Sequence, residues 1–117
     1  MRAKILAACF VLIATIPAFA ASNHDGRWKV DVETTVGNCP RGGETIVTIK
    51  GNRVAGIEAQ SIDAWGYIDD ANAFVGRFTQ GEKVLRANGE VKGQSASGSW
   101  SSNTDYCGGR WSARKID

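Results

Sequence analysis

The sequence predicts an all-β fold: an antiparallel meander of about eight short strands forming a small barrel or half-barrel, preceded by an N-terminal signal helix. Three observations carry that expectation. Beyond residue 21 no 3.6-residue periodicity is sustained; apolar and polar residues alternate instead. Gly, Asn, Asp and Ser recur at short intervals between the alternating runs, as turns require. All 14 glycines lie beyond residue 25, several of them two positions before an aromatic, where a strongly curved sheet wants a residue without a side chain.

The first twenty residues stand apart. Arg2 and Lys4 form a basic start, residues 5–16 are apolar, Pro17 breaks the run, and Ala18-Phe19-Ala20 supplies small residues at a cleavage site. That order is the pattern of a secretory signal, and the run is too short for a stable membrane span. Residues 1–20 are therefore read as a signal peptide and 21–117 as one β-domain, secreted or periplasmic. Cys9 leaves with the signal. Arg2 and Lys4 account for the whole formal excess of +2, so residues 21–117 balance 12 basic against 12 acidic side chains. Interspersed, balanced charge gives no footprint for nucleic acid or an anionic membrane.

Residues 27–33 make the clearest strand, with Trp28, Val30 and Val32 on one face and charged neighbours on the other. After a loop over residues 37–43, residues 44–50 and 53–59 form a hairpin around Gly51-Asn52. Further strands are expected at 64–68, 73–79, 84–92, 96–101 and 109–115. A Gly-x-aromatic-polar unit recurs at Gly26–Lys29, Gly76–Thr79, Gly98–Ser101 and Gly109–Ser112. Glycine and aromatic share a face at that spacing, so a neighbouring strand's ring can lie over each glycine, and Trp28, Phe78, Trp100 and Trp111 are expected in the core.

Export leaves Cys39 and Cys107 in an oxidising compartment, with no C-x-x-C and no nearby histidine, so a structural disulfide is expected. In an eight-stranded up-and-down order the first and last strands are antiparallel neighbours. Cys39 follows the first and Cys107 precedes the last, so the bridge would pin the barrel seam.

Residues able to carry chemistry are few. One histidine, His24, argues against a His-based metal centre and a Ser-His-Asp triad, and its place near the mature terminus suggests a mobile tail. Asp69, Asp70 and Asn72 match no EF-hand spacing and read as a hairpin turn. The serine-rich run 95–104 has no accompanying base, and the pairing of Asp63 with Glu58 is not settled by sequence. No phosphate-binding loop opens a helix. The domain is read as non-enzymatic, needing no cofactor and no metal. Trp65, Tyr67, Trp100 and Tyr106 are the candidate ligand-binding residues. Their size favours burial of Trp65 and Tyr67 in so small a domain; exposed on one face, that pair would stack on a sugar or clamp an apolar ligand.

Asp25–Val30, Thr35–Cys39, Gly98–Ser101 and the C-x-x-x-W run Cys107–Arg114 resemble a group of small secreted bacterial β-rich proteins of unassigned function. That resemblance implies export, a β-fold and the Cys39–Cys107 bridge. Gly26-x-Trp28, with a basic residue on the last strand, more loosely resembles the calycin barrels: lipocalins, avidins and small periplasmic metalloprotease inhibitors. It implies that Arg110 or Arg114 packs near Trp28. The resulting expectation is a β-domain that binds a small ligand or a protein partner, with specificity in loops 35–43, 60–63 and 102–108. The alternatives are a calycin-like inhibitor of an extracellular protease, for which residues 21–25 form only a short leading segment, and a structural envelope or adhesion component.

Overall fold

A computed structural model describes residues 24–59 and 61–117. The expected signal helix over residues 1–20 lies outside the described residues. Eight strands follow in order: β1 (Gly26–Val36), β2 (Gly42–Lys50), β3 (Arg53–Ile57), β4 (Asp63–Ile68), β5 (Ala73–Gln80), β6 (Lys83–Lys92), β7 (Ser95–Ser102) and β8 (Cys107–Lys115). Each pairs antiparallel with the next, and β8 returns to β1, so the meander closes into a barrel. Among the described residues no helix is long and apolar enough to cross a membrane.

Short turns hold the hairpins. Gly51 and Asn52 both have positive φ (60° and 62°), the geometry of a hairpin turn whose twist matches its strands. The Asp25 carboxylate accepts the Gly51 N–H at 2.8 Å. At the next hairpin but one, the Asp69 carboxylate accepts the N–H groups of Ala71 and Ala73 at 2.8 and 2.9 Å. That aspartate is a turn former, as its spacing suggested.

The seam joins β1 to β8 from Trp28↔Lys115 to Val36↔Gly108, with a bulge between Thr34 and Val36. Cys39 and Cys107 are disulfide-bonded beside it, with their Cα atoms 6.0 Å apart. The two cysteines are 68 positions apart in sequence, and closing a loop of that length restricts the unfolded chain by about 4 kcal/mol.

The two ends differ. At the end where β1 begins, Trp28, Ile49, Ile68, Val91 and Ala96 are buried against one another. Backbone bonds tie that end down, among them Arg27 N–H to Asp117 O and Ile116 N–H to Arg27 O. His24 belongs to this plug: its carbonyl accepts the Trp28 indole N–H at 2.9 Å and its ring meets Asn72 Oδ1 at 3.2 Å. The expectation of a mobile tail at His24 is corrected by those two anchors. At the other end lie the disulfide and the loops after β1, β3, β5 and β7, and the inward side chains of Val32, Phe78 and Leu85 are only partly buried.

Candidate binding cavity

Strand alternation decides what the interior can be. Trp28, Val30 and Val32 of β1 face inward together with Val47 and Ile49 of β2, Phe74 and Phe78 of β5 and Leu85, Ala87 and Val91 of β6. Eight strands enclose a space that side chains can nearly fill. Here many inward positions are small: Gly66, Gly76, Ala87, Gly89, Ala96, Gly98, Gly109 and Ala113. Large rings compensate only in part. An apolar cavity of about 300 Å³ remains, lined by Trp28, Val47, Phe74, Ala87, Trp100 and Trp111 among others, and reaching Ala59 and Ile62 near the disulfide end.

The rings are seated over the glycines. Across the sheet, Phe74, Gly89, Gly98 and Trp111 occupy one cross-strand row. The two rings reach toward each other over the intervening glycines and meet edge to face, with centroids 5.6 Å apart. A Cβ at Gly89 would lie 2.6 Å from Trp111 Cζ2, and one at Gly76 would lie 2.7 Å from Phe74 Cζ, so neither position has room for a side chain.

All three inward tryptophans turn their polar edges into the wall. Trp28 donates to His24 O, Trp100 donates to Glu33 O at 3.1 Å, and Trp111 donates to Asn88 O and Ser99 O at 3.1 and 3.2 Å. With the indole N–H groups satisfied by backbone carbonyls, the cavity meets carbon faces. Thr45 Oγ1, in the wall beside Val30, is buried without a hydrogen-bond partner.

The barrel wall is thinnest between β3 and β4. Those strands share one register pair, Arg53↔Tyr67, next to a bond from Ile68 N–H to Asn52 O. From there toward the disulfide end the seam is unzipped, and Ile57, Ala59 and Ile62 border both it and the cavity.

The four aromatic candidates do not form one site. Trp100 is 8% exposed and forms part of the cavity wall. Trp65 and Tyr67 are 53% and 38% exposed on the outer face of β4, so the expectation of burial fails for both. The space inside β4 is already taken: a Cβ at Gly66 would stand 2.9 Å from Val75 O and 3.1 Å from both the Phe74 ring and Val54 Cγ2. A larger inward residue at that position would collide with these groups, and the strand presents Ala64, Gly66 and Ile68 inward instead. Tyr106, 83% exposed, sits in the loop before Cys107.

The basic residue opposite Trp28 in the β8 register is Lys115, not Arg110 or Arg114, which are on the outer face. The sequence left open whether the sheet encloses a cavity or is filled by its own side chains, because no local pattern reports the sum of volumes around a closed sheet. Comparison with protein-family models, curated proteins and solved structures returns no match.

Proposed function

We propose that this protein is an exported, non-enzymatic binding barrel that takes one small, uncharged, apolar molecule into its interior. The observation that carries the reading is the 300 Å³ cavity, whose volume is at the lower end of ligand sites and whose walls are carbon almost throughout. An apolar space of this kind gains by replacing poorly held water with carbon. A charged ligand would lose its hydration with no opposite charge to meet inside. The unpaired Thr45 hydroxyl favours a ligand with a single hydrogen-bonding group among its carbons. The plugged end at Trp28 and the looser end at the disulfide give the site one direction of access, through the loops or the unzipped β3–β4 seam.

Export follows from the signal pattern of residues 1–20, and the disulfide suits that compartment. The looser likeness to calycin barrels agrees with a closed sheet that holds a ligand.

Native mass spectrometry of residues 21–117 with a series of neutral apolar compounds tests the reading. Retention of one molecule per barrel, with charged analogues of the same size rejected, is the expected result. Equal retention of charged and neutral members, or retention of neither, would overturn it.

A further inference from the structure

The outer face of β4–β6 sets two exposed aromatics beside exposed arginines. Around the start of β1, Arg27 pairs with Asp117 and Glu58, and Lys29 pairs with Glu44 of β2. Across β3 to β6 the outward residues are Arg53, Tyr67 and Val75 in one row, and Trp65, Arg77 and Arg86 in the next. All three arginines are exposed and none forms an ion pair among the described residues. Trp65 and Tyr67 pack edge to face, with centroids 5.6 Å apart, leaving a half-exposed indole directly beside Arg77. The carboxylates of Asp63 and Glu90 stand at the two ends of this face, and Glu90 is paired with Lys92.

From this juxtaposition the geometry points to a second binding site, on the outer face of β4–β6, for an acidic polysaccharide whose sugar rings carry carboxylates. Three features select that occupant. The face is convex and has no enclosing walls, so it suits an extended polymer laid across strands rather than a small molecule. An exposed indole offers its electron-rich face to the C–H groups of a pyranose ring. Guanidinium groups one and two strands away, about 5 and 10 Å at ordinary strand spacing, present paired N–H donors to carboxylates along the chain. The polar side chains beyond them, Asn88 and Ser99, add partners for sugar hydroxyls. This site is independent of the interior cavity and holds whether or not that cavity binds a ligand.

Titration of the 21–117 domain with tetragalacturonate, followed by Trp65 and arginine side-chain NMR signals, tests it. Saturable binding is expected, with cellotetraose weaker by at least tenfold. Trp65→Ala and the double variant Arg77→Ala/Arg86→Ala should each weaken binding by about tenfold or more, while keeping the barrel's circular dichroism and its uptake of apolar molecules. No saturable binding, equal affinity for the neutral tetramer, or unchanged affinity in both variants would overturn the proposal. So would binding to vesicles of phosphatidylcholine and phosphatidylglycerol with the glycan inert.

Discussion

Phe74 and Trp111 stand on strands separated by two others, yet their rings meet edge to face with centroids 5.6 Å apart, above Gly89 and Gly98. The contact explains how a short meander closes. Two adjacent strands give up their side chains at one level, and the flanking rings fill that level from both sides. The wall can then curve sharply, and the interior is kept apolar but incompletely filled.

Gly89 should therefore resist even a methyl group. Gly89→Ala places Cβ 2.6 Å from Trp111 Cζ2 and against the Ser97 backbone. A loss of about 2–4 kcal/mol is expected, above the usual cost of overpacking because backbone as well as ring must move. Gly56→Ala, where nothing lies within 4 Å of the new Cβ, should stay within about 0.5 kcal/mol of the parent. Urea unfolding followed by tryptophan emission measures both.

Removing the bridge should loosen the seam without erasing the barrel's pattern. The double variant Cys39→Ser/Cys107→Ser is expected to lose about 4 kcal/mol by the loop-entropy argument. Reduction of the parent protein should reproduce that loss. Denaturant midpoints in oxidised and reduced samples provide the measurement.

Acid should weaken the contact at the plugged end. The hydrogen bond from Arg27, together with its charge, holds the Asp117 carboxyl below its ordinary value, and the same bond raises Arg27. For a depressed carboxyl the stabilisation is fully present above the unfolded-state pKa and is lost as pH falls through the folded-state value. The raised arginine pKa adds stability that is fully present below the ordinary arginine range, so it does not vary between neutral pH and acid. Stability of the parent should thus fall below the ordinary aspartate range, by a small amount because both groups are exposed. Asp117→Asn should be less stable than the parent at pH 7 and should lose less on acidification. Thermal melts between pH 7 and pH 2.5 test the sign.

Much of this fold was legible because alternation and turn residues are local. Trp28, Val30 and Val32 announce a strand and its inner face, Gly51-Asn52 announces a hairpin, and Cys39 and Cys107 flank the strands that close the seam. The sidedness of β4 was not legible. Trp65 and Tyr67 alternate with Ala64, Gly66 and Ile68, and alternation marks two faces without saying which turns inward. Size suggests the aromatics, but Phe74 and Val54 on the neighbouring strands already crowd the space inside Gly66. Whether the sheet encloses a cavity stayed open for a related reason. The cavity is the space left when Ala87, Ala96 and Ala113 meet rings from other strands, a quantity fixed only after closure.

Filling that space is the most direct test of the interior as a ligand site. The uncharged probe N-phenyl-1-naphthylamine, titrated into the 21–117 domain, should show enhanced, blue-shifted emission that saturates at one probe per chain. Ala87→Leu and Ala113→Leu each place a larger side chain in the cavity wall. Both should weaken binding at least tenfold while the barrel stays folded by circular dichroism. An absence of saturable binding by the parent, or undiminished binding by both folded variants, would contradict the account.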